Sequence, residues 1–404
     1  MWYKSQFFVL TILSHSVYSL LNPKILATVP MPLDEDLKPP LYLTPLLETG
    51  DYKKAQRLSK VEPDIGNVTS YSGLFTVNKE CGSNLFFWFF PALKDNWEDA
   101  PLILWLQGGP GSTSFYGIFE EVGPFKSYDE GLKKRDYSWN TDNNLLIIDQ
   151  PVGVGFSFTE KECYPENETT VGNDLYQAVF QFHQLFPNFQ QNKFFIVGES
   201  YAGHYIPALG HFIHKYNPSA AVKINLAAMM IGNGLSDATT QFDYGDYLYN
   251  IGLIDDKGKE EYKSRYSHFL QALKEENWPA ASKDHKSFLE ELYERHVDKR
   301  VSMYHYLPEK SQVSQNWMRF IRITARDSLH VGDLEYFDGN IVSKSLTFDV
   351  VHTVKPWVEE LLEVYPIIFY NGQLDIICGY PMMIKFLRSL NWSGESQYLN
   401  ATRT

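Results

Sequence analysis

The chain has 404 residues, of which 44% are hydrophobic and 15% aromatic, so it can build one large domain or two ordinary ones. Its formal net charge at pH 7 is -13, from 36 basic and 49 acidic side chains. A surface of this sign would repel the phosphates of a nucleic acid, so we expect no nucleic-acid partner. An acidic compartment would suit the chain better, because protonation there relieves part of its self-repulsion.

The first 19 residues have the pattern of a secretory signal peptide. Lys4 precedes an apolar stretch at 7–13, and small residues follow near Ser16 and Ser19. This stretch is too short to cross a bilayer, and no other run is long enough, so we expect no membrane span. An ordinary buried helix is the alternative. The signal predicts the secretory pathway, with secretion, a lysosome and a yolk granule as equally compatible destinations.

Glycosylation sequons and cysteines fit that route. The Asn-x-Ser/Thr sequons beyond the signal begin at Asn67, Asn167, Asn391 and Asn400. The cysteines are Cys81, Cys163 and Cys378, so at most one disulfide forms, with a pairing that the sequence leaves open. Their spacing is not that of metal ligands, and we expect neither a metal ion nor a cofactor.

The pattern of apolar residues after the N-terminal region is typical of an α/β protein. Residues 20–66 are polar and proline-containing, and we expect an extended arm or a propeptide-like segment there. Apolar runs of strand length then recur, nearly continuous as in strands covered on both faces, at 74–77, 85–90, 102–106, 145–148, 194–197, 226–231 and 367–370. Between two of them, residues 174–186 carry apolar side chains at helical spacing, and Pro187 ends that pattern.

The composition changes between residues 236 and 326. This segment is rich in Lys, Glu, Tyr and His, has no strand-like run, and contains helical stretches such as 286–295. We therefore predict a helical insertion at 236–326, between a first part of the core at 67–235 and a second part at 327–404. The number of subunits does not follow from these patterns.

The stretch GESYAGHY, residues 198–205, follows an apolar strand and precedes a predicted helix at 207–215. It is close to the Gly-x-Ser-x-Gly turn, with Ala202 and then Gly203 after the serine. Such a turn exposes a nucleophilic serine, here Ser200, at a sharp strand-to-helix corner. The helix that follows directs unsatisfied amides at the reacting centre. A structural turn is the alternative, which the flanking strand and helix make less favourable.

Two more loops follow predicted strands. The stretch WLQGGPGST, residues 105–113, contains backbone amides suited to an oxyanion hole, although Gly-Gly-Pro-Gly also forms ordinary turns. The stretch YNGQLDIIC, residues 370–378, places Asp375 just beyond a strand, where a carboxylate orients an imidazole. Ser200 before Asp375 fits the serine, acid, histidine order of α/β hydrolases.

With these elements the chain resembles the serine carboxypeptidase family, most closely its animal vitellogenic type. The shared motifs, in the family's order, are WLQGGPG, FEEVGPF, WN at 139–140, DQPVGVGFSF, GESYAGHYIP, IGNG, LHVG and YNGQLDII. The resemblance implies an α/β-hydrolase fold with a mostly parallel sheet and a helical lid. It also implies peptide substrates with a free C-terminus, cleaved from that end, commonly at acid pH.

The resemblance implies a role for each matching residue. Ser200 is the expected nucleophile and Asp375 the acid, with the amides of Gly109 and Tyr201 as oxyanion hole. The expected binding site for the substrate's terminal carboxylate consists of Gln107, Gly108, Glu121 and Glu199. Two glutamates facing a carboxylate make sense if they share a proton, so acid pH should favour binding.

The chain departs from the family in lacking a histidine at the position of the catalytic base. All eleven histidines, from His15 to His352, precede Asp375, whereas the family carries its catalytic histidine in a Gly-His loop after the acid. We expect none of His204, His330 and His352 to replace it. Two interpretations remain: a serine carboxypeptidase whose sequence is incomplete and lacks its last strand and helix, or a truncated, non-catalytic secreted member. An acyltransferase role is a distant third, and Ser112, where relatives tend to have glycine, leaves the substrate loop's shape open.

Overall fold

The computed structural model describes residues 37–128, 131–307 and 316–402, so the predicted signal peptide lies outside the described residues. The strands are β1 (Tyr71–Asn78), β2 (Ser83–Phe90), β3 (Leu102–Leu106), β4 (Phe125–Tyr128), β5 (Gly131–Lys134), β6 (Asn144–Ile148), β7 (Val154–Gly155), β8 (Phe194–Glu199), β9 (Leu226–Gly232), β10 (Phe337–Asp338) and β11 (Ile367–Tyr370). Each of the seven predicted apolar runs forms a strand of one seven-stranded sheet, in the order β1-β2-β6-β3-β8-β9-β11.

The pairing of these strands decides where loops meet. Strands β6, β3, β8, β9 and β11 run parallel, and β1 and β2 extend the sheet in antiparallel fashion. The chain leaves β3 toward β6 on one side and returns to β8 on the other side of β3. Loops that leave the carboxyl ends of β3 and β8 therefore diverge, and such a point opens the crevice in which ligands bind in open α/β sheets.

Helices and two buried cores cover the sheet. The α-helices are α1 (Thr44–Glu48), α2 (Tyr52–Ser59), α3 (Glu168–Leu185), α4 (Ala202–Tyr216), α5 (Ala238–Gln241), α6 (Gly245–Asn250), α7 (Asp256–Lys274), α8 (Trp278–Leu289), α9 (Glu291–His296), α10 (Asn316–Arg319), α11 (Asn340–Ser345), α12 (Lys355–Leu362), α13 (Tyr380–Ser389) and α14 (Glu395–Asn400). Successive residues of β2 alternate between the two cores, with Phe87 in one and Trp88 in the other. Both faces of the sheet are therefore covered, as the near-continuous apolar runs predicted.

The expectation of an extended arm before Asn67 is wrong for the part of it that the structure describes. Helices α1 and α2 lie there, and Leu43, Leu47 and Ala55 are buried in the core. The helices have 5 and 8 residues, too short for a clear helical period in the sequence. Packing of these few apolar side chains, rather than local propensity, stabilises them.

The segment at 236–326 carries helices α5 to α10, and its described residues, 236–307 and 316–326, contain no strand. Aromatic side chains hold this segment together: the Phe288 ring contacts those of Tyr244, Tyr262 and Phe269. Between α9 and α10, Met303 and Tyr306 make backbone hydrogen bonds with the loop that follows β11. The helical segment thus contacts the edge at which Asp375 lies.

A disulfide joins Cys81 to Cys163, whereas Cys378 is a free, buried thiol. The bond links the β1–β2 turn to the segment before α3. Within the described residues, no helix combines the length and the apolar composition needed to cross a bilayer.

Candidate active site

The turn that carries Ser200 is sharp and closely packed. Ser200 has a φ of +60°, in the left-handed region, and its amide donates to Gly232 O at 2.9 Å. A Cβ atom at Gly198 would lie 2.3 Å from Leu106 O, and one at Gly203 would lie 2.4 Å from Leu235 O. Both glycines are therefore required by the close approach of neighbouring strands, which is the mechanical reason for such a turn.

The glycine-rich loop after β3 lies directly against this turn. A Cβ atom at Gly108 would lie 2.6 Å from Tyr201 N and 2.8 Å from Ser200 Cβ. Gly109 has a φ of +119°, which side chains rarely allow. Among the described residues, the backbone amides of Gly109 and Tyr201 donate no hydrogen bond. Two unused amides thus flank the serine, as an oxyanion hole requires.

Asp149 fixes the other end of the glycine-rich loop. Its Oδ1 accepts hydrogen bonds from Thr113 Oγ1 at 2.7 Å and from the Ser114 amide at 2.9 Å. Burial raises the pKa of Asp149 to about 7, against the opposing effect of these donors. The aspartate of the DQP motif therefore acts as a structural clamp.

Two glutamates and a glutamine form a buried cluster beside Ser200. Gln107 Nε2 donates to Glu199 Oε1 at 2.7 Å, which joins the loops after β3 and β8. Glu121 ends a π-helical turn, Gly117–Glu121; the residue is partly exposed, but its carboxyl oxygens are shielded and find no donor among the described residues. Burial, followed by repulsion from Glu199, raises the pKa of Glu121 well above its usual range, and burial also raises that of Glu199. Two neighbouring buried carboxyls whose pKa values are both raised favour a state in which they share one proton.

Asp375 joins this group through Asn233. Asn233 follows Gly232 at the end of β9, and its Nδ2 donates to Asp375 Oδ2 at 2.7 Å. The amides of Ile377 and Cys378 lie near the carboxyl, but Oδ1 has no partner of hydrogen-bond geometry among the described residues. Burial raises the pKa of Asp375 to about 7, with the Asn233 hydrogen bond opposing. One acceptor site on a buried carboxyl is thus left open.

The histidines considered as substitutes for a catalytic base have other partners. His204 Nδ1 lies 2.7 Å from Leu235 O, and His352 Nδ1 lies 2.8 Å from Phe348 O. His330 Nδ1 lies 3.0 Å from Ser72 Oγ. None of these three rings makes a hydrogen bond to Ser200 or Asp375 within the described residues.

Sequence reasoning missed three residues that shape the site. Asn233 lies in the IGNG motif and Asp149 in the DQP motif, and each directly follows a strand of the sheet. A polar residue at the carboxyl end of a predicted strand was the feature that could have identified them. Tyr304 lies within the helical insertion, between α9 and α10; burial and then the charges of Asp375 and Glu199 raise the pKa of its hydroxyl. No periodic pattern marks Tyr304, because it lies between helices.

The remaining predicted sites lie at the surface. The four sequon asparagines are exposed, at Asn67, Asn167, Asn391 and Asn400. Asn167 also caps helix α3, because its side chain accepts a hydrogen bond from the Thr170 amide at 3.0 Å. In the part of the chain that the structure describes, no group of three or more His, Cys, Asp or Glu side chains is arranged to hold a metal ion.

Three comparisons relate this geometry to known proteins. The venom serine carboxypeptidase of Apis mellifera is 42% identical over 393 residues, which cover 93% of this chain and 83% of that protein. The vitellogenic carboxypeptidase of Aedes aegypti is 41% identical over 378 residues, covering 90% and 80%. The crystal structure of KEX1(delta)P, a prohormone-processing carboxypeptidase from Saccharomyces cerevisiae, superposes with a TM-score of 0.70 at 25% identity, covering 84% of this chain and 83% of that one.

The fold class expected from the sequence is therefore confirmed: the chain has the α/β-hydrolase fold, with a mostly parallel central sheet and helices on both faces. A family model described as serine carboxypeptidase matches residues 61–404. The chain belongs to the serine carboxypeptidase family.

Proposed function

We propose that this protein binds peptides by their free C-terminal carboxylate and releases the last amino acid through an acyl-enzyme on Ser200. The observation that carries the proposal is the cluster of Gln107, Glu199 and Glu121 directly beside the Ser200 turn. A proton-sharing carboxyl cluster next to a nucleophile recognises the end of a chain, because an internal peptide bond has no group to share that proton.

The chemistry assigns each residue a step. Ser200 Oγ attacks the carbonyl carbon of the last peptide bond, and its proton passes to an imidazole. The amides of Gly109 and Tyr201 stabilise the resulting oxyanion. The imidazole then gives the proton to the departing amine, and water hydrolyses the ester on Ser200. Asp375 Oδ1, the open acceptor, orients that imidazole and stabilises it when charged.

Carboxylate recognition in this proposal depends on a proton. The raised pKa of Glu121 keeps it protonated to a higher pH than an ordinary glutamate, so it donates to the substrate carboxylate while Gln107 and the Gly108 amide contribute further donors. Binding is complete below that pKa and is lost as pH rises through it, because the ionised pair then repels the ligand. The proposed enzyme therefore prefers acid pH.

The proposed turnover requires an imidazole beside Asp375. Residues 376–404 contain no histidine, and the three earlier candidates have other partners. A second function is therefore carried by the same observation: residues 20–404 act as a binding protein for peptide C-termini, without turnover. Both functions require the carboxylate cluster, and only turnover separates them.

We also propose the secretory pathway as the protein's location, with helices of residues 236–326 acting as a lid over the site. The Cys81–Cys163 disulfide supports an oxidising compartment, and the four exposed sequons suit one. The signal at 1–19 would direct the chain there.

The test of the proposed activity is turnover of a blocked dipeptide and of its C-terminal amide. The protein is residues 20–404 extended by a family-type Gly-His segment. Release of the terminal amino acid from the free acid alone, abolished in Ser200→Ala, supports a carboxypeptidase. Equal turnover of the amide would contradict the role of the carboxyl cluster.

A further inference from the structure

A second buried carboxyl pair contacts the nucleophile turn from outside the site described above. Glu168, at the start of helix α3, and Asp349, at the start of the 3-10 turn Asp349–Val351, are 3% and 5% exposed. Their carboxyls lie within hydrogen-bonding reach of each other. Neither oxygen of Glu168 has a donor among the described residues. Two acceptor-only carboxylates cannot satisfy each other, whereas one shared proton satisfies both.

Asp349 also reaches the residue next to the nucleophile. Tyr201 Oη donates to Asp349 Oδ2 at 2.8 Å, and the Tyr201 ring stacks on His204 with centroids 4.5 Å apart. His204 Nδ1 in turn lies 2.7 Å from Leu235 O, while the Leu235 amide donates to Ser200 O at 3.0 Å. The Tyr201 side chain is thus held at its hydroxyl by Asp349 and on its face by His204, and the His204 contact leads back through Leu235 to the serine turn.

We propose that Asp349 is a positioning residue: together with a proton held between it and Glu168, it anchors the Tyr201 hydroxyl and so fixes the Tyr201 amide beside Ser200. The inference rests on the proposed function only for the oxyanion role of that amide. The anchoring itself does not depend on turnover.

The groups around the pair favour the singly protonated state. Tyr201, Tyr205 and His204 pack against it, and Glu166 and His352 face it across a cavity of about 230 Å³. The described residues that line this cavity include neither lysine nor arginine. Burial and then the Asp349 charge raise the pKa of Glu168 well above 4.5, and burial lowers the pKa of His204 below its usual range.

The sign of the pH effect follows from where the proton is held. Unfolded Glu168 ionises near its ordinary pKa of 4.5, whereas the folded state keeps the proton to higher pH. The proton on Glu168 therefore stabilises the folded state fully below pH 4.5. This stabilisation is lost as pH rises from 4.5 toward the pKa of folded Glu168. One such proton changes the unfolding equilibrium constant about tenfold per pH unit.

The experiment measures hydrogen exchange of the peptide 198–205 in the full chain, together with the unfolding equilibrium between pH 5 and pH 7. Asp349→Ala should raise exchange at 198–205 about tenfold or more and leave distant peptides unchanged. Asp349→Asn should restore protection, because its amide oxygen still accepts from Tyr201. Tyr201→Phe should reproduce the local rise, and it replaces Asp349→Ala if that variant does not fold.

A matched control and the pH profile complete the test. Asp174→Asn changes another buried carboxyl of helix α3 and should leave exchange at 198–205 unchanged. Glu168→Gln should remove about one proton's slope from the pH dependence of unfolding, because its amide donates to Asp349 permanently. Unchanged local exchange in both Asp349→Ala and Tyr201→Phe, a uniform rise across the domain, or an unchanged slope in Glu168→Gln would overturn the inference. None of these measurements uses turnover, so an inactive protein would contradict the proposed activity and leave the positioning role of Asp349 unaffected.

Discussion

The two sides of the candidate active site differ in how many contacts hold their loops in place. On the β3–β8 side, Gln107 bonds to Glu199, Asp149 clamps the glycine-rich loop, and Gly108 contacts the serine turn. On the β9–β11 side, one hydrogen bond from Asn233 holds Asp375, whose second oxygen has no partner among the described residues.

This difference indicates that binding of the substrate carboxylate and proton transfer depend on separate parts of the sheet edge. Recognition depends on two adjacent loops whose backbones touch, so it is complete within a short stretch of the sheet. Proton transfer depends on a carboxyl beside β11, which ends the strand order among the described residues, with Ile368 49% exposed. Changes on the two sides should therefore affect different steps.

The largest expected effect comes from supplying the β11 side with a base. Residues 20–404 should show no Ser200-dependent turnover of a blocked dipeptide from pH 4 to 8, because a triad without its base retains only binding and oxyanion stabilisation. Appending a family-type Gly-His segment should raise the rate by at least about 10³-fold. The matched control carries alanine in place of the added histidine. Robust turnover by residues 20–404, abolished in Ser200→Ala, would mean that an earlier histidine acts as base.

One added methyl group should disrupt the close packing on the β3–β8 side. In Gly108→Ala, the added Cβ would overlap backbone and side-chain atoms of the serine turn at 2.6 to 2.8 Å. We expect a loss of about 1–3 kcal/mol in unfolding free energy and weaker binding of peptide acids. Calorimetry and chemical denaturation measure both. Gly372→Ala is the control, since its nearest contact would be 3.5 Å away; equal behaviour of the two variants would contradict the close approach.

Removing the single hydrogen-bond donor to Asp375 should have a comparable effect on stability. Asn233→Ala leaves a buried carboxyl without its donor, which costs about 1.5–3 kcal/mol of stability. Because Asn233 has a φ of +42°, part of any loss reflects backbone strain, so the control is Glu276→Ala, an exposed position at +55°. Denaturation curves should show a larger loss for Asn233→Ala. Equal losses would mean that strain alone accounts for the effect.

The smallest effect concerns the pH dependence of recognition. Glu199→Gln replaces the shared proton by a permanent amide, so binding of a peptide acid should lose its preference for acid pH. In the parent protein, affinity should fall by up to about tenfold per pH unit above the pKa of the cluster. Titration calorimetry at pH 5, 6, 7 and 8 measures both slopes. A variant that keeps the parent's slope would show that another group holds the proton.

Much of the fold was predictable because apolar residues recur in the sequence in runs of strand length or at helical spacing. All seven apolar runs became strands of one sheet, and the helix pattern at 174–186 lies within α3 except for its last residue. The two short helices before Asn67 were not predictable, since tertiary packing of Leu43, Leu47 and Ala55 stabilises them.

The site was predictable where a motif follows a strand and unpredictable where a contact crosses the sequence. Ser200 and the glycine-rich loop could be assigned from local pattern alone. The hydrogen bonds from Asn233 to Asp375 and from Tyr201 to Asp349 span 142 and 148 residues. No spacing rule indicates such partners, because only the tertiary fold brings them together.

The most direct test of the central claim is a calorimetric titration of residues 20–404 carrying Ser200→Ala with one short peptide, either as its free acid or as its C-terminal amide. At pH 5, the account predicts that the free acid binds at least about tenfold more tightly than the amide, as expected for a charge-assisted hydrogen-bonded carboxylate. At pH 8 this preference should shrink. Equal affinity for acid and amide at pH 5 would contradict the claim that Gln107, Glu121 and Glu199 form a site for peptide C-termini.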